Sequence, residues 1–323
     1  MAGLTYSTYK TQIAEMAVVA EDDVNFVAIL PMMIDYASLR ICRDLDLMFT
    51  SVSLHGAAYQ LVTGNRNLSF PQNLSDGTSF VVSEQINLIL NATEAYNPDT
   101  GTRVPLMPTT KEFLDAVYGS AVAGNRGQPK YFVPFNETLF FVGPTPDTNY
   151  AVEVVGTIRP APLGYTAAVS SASATGTTGT IVFSTAHNIT NGAQVTVSDF
   201  SPSNLNGTFT SNVINSTTIS ITLTSAVTGT VAASALGTVA NGSGISFISQ
   251  YLPDLLVMAS MIYISAYQRN FGKESDDPQM AMSYETQYQL LLKSAVVEEA
   301  RKKFDAAGWS SQSPATVASP TRG

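Results

Sequence analysis

The sequence predicts an α+β protein, and three observations predict it. Apolar residues recur at helical spacing near both ends of the chain. They alternate with a period of two through much of the middle. Between Thr166 and Gly244 the only charged residue is Asp199, a sharp break in composition. Helical stripes and alternating strands each need a partner layer to bury their apolar side. The simplest arrangement packs the N- and C-terminal helices into one bundle, with a β subdomain and an inserted all-β module projecting from it. The expected units are therefore residues 1–165 together with 245–307, a module over 166–244, and a flexible tail over 308–323.

The first element is a helix over Tyr6 to Val19. Glu21-Asp22-Asp23 then offers carboxylates to cap a second helix, whose unpaired N–H groups and positive end favour anionic side chains. That helix runs to about Leu47. Pro31 lacks the N–H a helix interior needs, so a restart after Leu30 is expected. From there Met33, Ile34, Ala37, Ile41 and Leu45 form an apolar stripe, with Arg40, Arg43, Asp44 and Asp46 off it.

From Met48 onward the period falls towards two. Strands are expected over Thr50 to Leu54, Ala58 to Val62 and Phe80 to Leu90. Asn97-Pro98-Asp99-Thr100-Gly101 is a turn, because Pro presets φ and Gly permits a positive one. Thr110 to Tyr118 is a short helix. Pro129 to Phe135, Leu139 to Val142 and Tyr150 to Arg159 are strands. Within the charge-poor region, Thr180 to Phe183, Gln194 to Val197, Gly207 to Val213 and Thr217 to Leu223 alternate β-branched residues between turns. Its flanks, Ser170 to Gly179 and Ala240 to Gly244, have the composition of hinges.

Leu255 to Tyr267 is apolar nearly all round, which marks a buried helix, and Phe271-Gly272 suits its end. Asp277-Pro278 pairs an N-cap with a first-turn proline. The helix it opens reaches about Phe304, roughly 40 Å at 1.5 Å per residue. Its stripe is Met280, Tyr284, Tyr288, Leu291 and Ala295. A second apolar set, Met282, Leu290, Val296 and Val297, lies off that stripe and is costly to leave in water. Leu290, Val296 and Val297 are thus candidates for an assembly face, covered by a neighbouring subunit or another protein.

The composition narrows the chemistry. Charged residues make up 13%, against roughly 25% in ordinary domains, and the net charge is −9. A sequence-reading nucleic-acid binder would show a basic patch, and none is spread along this chain. One cysteine, Cys42, and two histidines, His55 and His187, cannot build an ordinary zinc site. No nucleophile elbow, zincin helix, P-loop or dinucleotide fingerprint occurs. Asp44 and Asp46 sit two apart on a helix and point to different faces. No catalytic, cofactor or metal site is therefore expected, and an enzyme is not. The start of the chain lacks a signal-peptide pattern, and Leu255 to Tyr267 is too short to span a bilayer, so a soluble protein made in a reducing cytoplasm is expected. Arg301, Lys302, Lys303 and Arg322 make the C-terminus locally basic and are candidates for docking onto a partner.

Three stretches resemble the head-to-tail adaptor family of tailed bacteriophages. One is Phe26 to Asp46, ending in the Arg40, Arg43, Asp44, Leu45 pattern. Another is Pro129-Lys130-Tyr131 followed by Leu139 to Pro146 and Tyr150 to Val154. The last is Tyr251-Leu252-Pro253-Asp254-Leu255-Leu256, opening the penultimate helix. The resemblance implies a structural virion protein at the portal–tail junction. In that setting it forms a homo-oligomeric ring, a dodecamer, which binds the portal protein and receives the tail, its nozzle or its fibres. Double-stranded DNA would pass through without sequence-specific binding. The resemblance also implies that the C-terminal segment docks on the portal. Thr166 to Gly244 departs from a minimal adaptor. His187-Asn188-Ile189 to Val197 with Leu205-Asn206-Gly207-Thr208-Phe209 resembles a small β-barrel repeat of phage structural proteins, similar also to a half-domain of ubiquitin-activating enzymes, and this implies a fold only. The alternative is a tail-associated or capsid decoration protein that binds receptor or carbohydrate through this module.

Overall fold

The computed structural model describes residues 3–74, 76–91, 101–268 and 278–302. It is an α+β protein of helices and three β-sheets. The expected turn over Asn97 to Gly101, the end signal Phe271-Gly272, Asp277, and the tail over 308–323 fall wholly or mainly outside the described residues.

Two helices open the chain. In α1 (Tyr6–Ala17) the Thr5 hydroxyl accepts from the Thr8 N–H, and the Thr8 hydroxyl accepts in return from the Thr5 N–H. α2 (Val24–Asp44) is capped by Asp23, whose Oδ1 accepts from the N–H groups of Asn25 and Phe26 at 3.0 and 2.9 Å. The expected restart at Pro31 does not occur: α2 continues through it. Proline removes one intrahelical bond, but Leu30, Met33, Ile34, Ala37 and Ile41 are buried on both sides of it, and that burial outweighs the single loss.

Strands β1 (Ser51–Leu54), β2 (Gln60–Leu61), β3 (Asn67–Ser69), β4 (Ser79–Leu90), β5 (Thr102–Pro105) and β6 (Met107–Pro108) follow. After α3 (Lys111–Tyr118), capped by Thr110, come β7 (Tyr131–Pro134), β8 (Leu139–Gly143) and β9 (Tyr150–Arg159). They form two sheets. One has the order β1-β9-β4-β5 with β2 also on β9, and the other has β3-β8-β7-β6. Their inner faces share a core that includes Leu61, Leu68, Phe70, Phe80, Ile86, Leu88, Phe140, Val152 and Val154. Gly156 allows β9 to pass close to β4, since a Cβ there would fall 2.0 Å from the Val82 carbonyl oxygen.

The charge-poor region forms the third sheet, in the order β10-β13-β12-β11-β14. Its strands are β10 (Val169–Phe183), β11 (Gln194–Ser198), β12 (Gly207–Asn215), β13 (Thr218–Ala232) and β14 (Thr238–Asn241). The sheet buries a core of its own, with Ile181, Phe183, Val195, Val197, Leu205, Ile219 and Ile221 among its members. The flanks expected to be hinges are not loops. Ser170 to Gly179 lies within β10 and pairs with β13, and Ala240 lies in β14 opposite Thr196. Thr and Ser alternating with small residues satisfy a ladder as readily as a linker, and the partner strand decides between them. Backbone bonds also tie this end of the sheet to α1: Ser7 N–H donates to Gly242, and Tyr6 N–H to Gly244, each at 3.0 Å.

The chain closes with α4 (Phe247–Tyr251), α5 (Pro253–Gln268) and α6 (Pro278–Lys302). α5 is the hub. Leu255, Leu256, Val257, Ala259, Met261 and Ile264 are buried, and α1, α2 and α6 pack round them in one core. Deep inside, the Tyr9 hydroxyl donates to Ser260 at 2.6 Å.

Candidate assembly surfaces

α6 reaches the core through one narrow stripe. Tyr288 is fully buried and Ala295 nearly so, while Tyr284 and Leu291 pack at the margin. Polar contacts with α2 fix its position. The Arg40 guanidinium bonds Glu285 at 2.6 Å, lies 4.3 Å over the Tyr288 ring and sits 3.6 Å from Asp44. The Tyr288 hydroxyl donates to Asp44 at 2.7 Å. The hydrogen bond from Arg40 holds the Glu285 carboxyl below the usual carboxylate range, and burial raises the Tyr288 phenol. At the far end Glu299 is buried and accepts from the Met48 N–H, where the β subdomain begins.

With that side committed, the opposite side of α6 is exposed among the described residues. Met282 is 71% exposed, Leu290 61%, Val297 50% and Val296 47%. About 100° per residue separates successive side chains, so these four fall on one face, away from Tyr288 and Ala295. Lys293 lies among them, also exposed and without an ion-pair partner among the described residues.

The basic candidates are divided. Arg301 is exposed on the last turn of α6. Lys302 is engaged within the chain, bonding Glu299 at 2.7 Å and Glu298 at 3.0 Å, and these hydrogen bonds raise its ammonium above the ordinary value. Lys303 and Arg322 lie outside the described residues.

The remaining titratable groups have structural partners or none. His187 is buried, accepts from the Ile189 N–H at 2.9 Å and bonds the Asn215 carbonyl at 3.0 Å through its other nitrogen, so it staples a turn of the third sheet. His55 is exposed. Cys42 is half-buried, and burial pushes its thiol up to about 11. Asp44 serves Arg40 and Tyr288 rather than pairing with Asp46. Among the described residues no three His, Cys, Asp or Glu side chains gather as metal ligands.

Sequence reasoning missed two groups. Glu153, in the centre of β9, is buried. Its carboxylate accepts from Ser53 at 2.7 Å, Asn87 at 2.9 Å and Arg103 at 3.0 Å. Burial pushes this carboxyl up, but the three hydrogen bonds outweigh it and hold the group below its usual range. Lys10, buried on α1, reaches Thr208 of the third sheet at 3.3 Å and Glu21 at 3.8 Å. Both sit inside apolar alternations or stripes, and no local signal marks them.

Among the described residues most of the polar groups named above are held in contacts within the fold, and the outer side of α6 is exposed and apolar. The model of the SU10 adaptor protein family matches residues 4–187, more than half of the chain, and the chain belongs to that family. It is a phage structural adaptor and a virion component. The match covers α1 through β10, so it spans both sheets of the β subdomain and enters the third sheet. No curated protein matches the chain.

Proposed function

We propose that this chain is the subunit of a head-to-tail adaptor ring, joining the portal to the tail and continuing the DNA channel. Membership of the adaptor family supplies the class, and the exposed apolar face of α6 is the observation that carries the assembly role. Four large apolar side chains on one helix face are an expensive surface for a free monomer, since each contributes about 1.5–3 kcal/mol on burial. The net charge of −9 suits a lumen through which DNA slides without adhering. A dodecamer at the portal–tail junction is the assembly this reading implies. The third sheet forms a separate unit on the outside of the ring. The C-terminal segment from Arg301 docks on the portal, with Lys303 and Arg322 adding positive charge beyond Lys302, which Glu298 and Glu299 already hold.

The test is portal binding by the purified full chain, imaged by negative-stain microscopy. Wild-type protein should add a ring of density to one end of the portal. The Leu290→Glu/Val297→Glu variant should keep a wild-type circular dichroism spectrum and fail to add that density. Normal assembly by the double variant removes α6 from the interface, and absence of wild-type binding removes the adaptor reading itself.

A further inference from the structure

A run of aromatic rings lies open where the β subdomain meets α4. Phe49 stacks on Phe247 with ring centroids 4.2 Å apart and planes 3° from parallel, and Phe247 meets Tyr251 at 4.8 Å. Phe49 is 48% exposed, its neighbour Met48 52% and Tyr251 55%. Aromatic rings contribute through the area they bury, and the outer two of this run stay about half open to water. The end of α6 lies beside this patch. The Glu299 carboxylate accepts from the Met48 N–H at 3.3 Å through one oxygen and from the Lys302 ammonium at 2.7 Å through the other. Lys302 is the last residue of α6, so the end of the helix and the start of the patch share one carboxylate.

The sequence that follows Lys302 is Lys303-Phe304-Asp305-Ala306-Ala307-Gly308-Trp309, and it lies outside the described residues. It holds both aromatic residues found after α6, and Trp309 is the only tryptophan in the sequence. From Ser310 to Gly323 Val317 is the one large apolar residue. The aromatic content is thus concentrated next to the open rings. An extended chain covers at most about 3.5 Å per residue, so Phe304 falls within about 7 Å of Lys302 and Trp309 within about 25 Å. A single strand of nucleic acid also stacks on open rings, but it needs positive charge along its backbone. Here Glu298 and Glu299 already hold Lys302, and Asp254 follows Tyr251 by three residues.

We infer that residues 303–309 of the same chain fold back onto this patch, with Phe304 and Trp309 covering Met48, Phe49 and Tyr251. Each aromatic side chain buries about 150–250 Å², so two of them suffice to close a surface of three open side chains. The contact anchors the root of the C-terminal segment beside the β subdomain. Only the residues after Trp309, Arg322 among them, then remain to meet the portal in the reading above. The contact is made within one subunit and does not depend on that reading.

Because Trp309 is the only tryptophan, its fluorescence in the purified full chain reads the contact directly. Wild-type emission should be blue-shifted from that of N-acetyltryptophanamide and quenched several-fold less by acrylamide. Both properties should persist on dilution from micromolar to nanomolar protein. Tyr251→Glu, at an exposed position, should keep a wild-type circular dichroism spectrum and move emission and quenching to the free values. Phe49→Ala should do the same, and where it unfolds the chain Tyr251→Glu decides. A chain ending at Trp309 should keep the wild-type signal. Wild-type emission and quenching equal to those of the free amide overturn the inference. So does a blue shift that survives in folded Tyr251→Glu, which would bury Trp309 elsewhere. Protection lost on dilution would give the patch to the C-terminal segment of a second copy, and protection that arises only with portal present would give that segment to the portal; either result overturns it. A protected Trp309 in a chain that does not bind portal keeps this contact and removes the adaptor reading.

Discussion

Removing the Arg40 side chain would strip three neighbours of a partner: Glu285, Asp44 and the Tyr288 ring. Hydrogen bonds to charged groups contribute about 1.5–3 kcal/mol each, and Glu285 keeps part of its hydration, so Arg40→Ala should cost about 1.5 kcal/mol, near the lower bound. A lower urea midpoint with an unchanged slope is the expected readout. Glu153 gives a pH-dependent counterpart. Its folded-state carboxyl titrates below its unfolded value, so the folded chain binds fewer protons there than the unfolded chain. The stability this adds is present above the unfolded value of about 4.3 and is lost as pH falls through the lower, folded one. Glu153→Gln should therefore lower stability at neutral pH and flatten its fall in acid, measured as the urea midpoint from pH 7 to pH 3. Neither residue could be singled out from sequence. Glu153 alternates with valines along β9 as any outward residue would, and its three partners come from β1, β4 and β5, between 50 and 100 residues away.

At the scale of the element, signals confined to a single turn were legible and those decided by a distant layer were not. Asp23, Thr110 and the alternation of β4, β7, β8 and β9 are where the residues place them, because a cap or a pleat is satisfied within a few residues. Asp23→Ala should cost about 1 kcal/mol, since two N–H groups lose their acceptor, and a drop of about 1–2 °C in melting temperature would register it. Pro31 shows the opposite case. Its local preference is to break α2, and the helix persists because residues before and after it share one buried stripe against α5. The short β3 and the two-residue β6 are held by their neighbours in the sheets, and nothing in three residues announces them, while the strand expected over Ala58 to Val62 forms only at Gln60–Leu61.

For the whole molecule, composition located the third sheet but misjudged its borders. The break at Thr166 and Gly244 is where its chain enters and leaves, yet Ser170 to Gly179 is a strand and the exit is bonded to α1. What the residues could not reveal was the clasp of Lys10 on Thr208, which joins positions 198 apart. Because the sheet buries a core of its own, a fragment over 166–244 should fold when expressed alone, with a β circular dichroism spectrum and a cooperative melt. A fragment without a cooperative transition would mean that contacts with α1 and α2 are needed to complete it. The outer faces of α2 and α6 were half legible. The off-stripe residues of α6 stand out because Tyr288 and Ala295 define a single stripe. The outer side of α2 was less legible, because the residues that stand off its stripe in the sequence are the charged Arg40, Arg43, Asp44 and Asp46.

The third sheet also has an electrical character unlike the rest of the molecule. Across 166–244 a single carboxylate, Asp199, is its whole complement of charge at neutral pH. Hydroxyls and amides keep that surface wet, and such groups are untouched by counterions. Salt weakens contacts between exposed charges, with a screening length of about 10 Å at 0.1 M ionic strength, and has little to act on here. Any molecule that settles on this sheet must be recognised by shape and hydrogen bonding. Its hold should be the same in dilute buffer as in brine, while contacts made through exposed charges such as Lys293 or Arg301 fade as the salt rises.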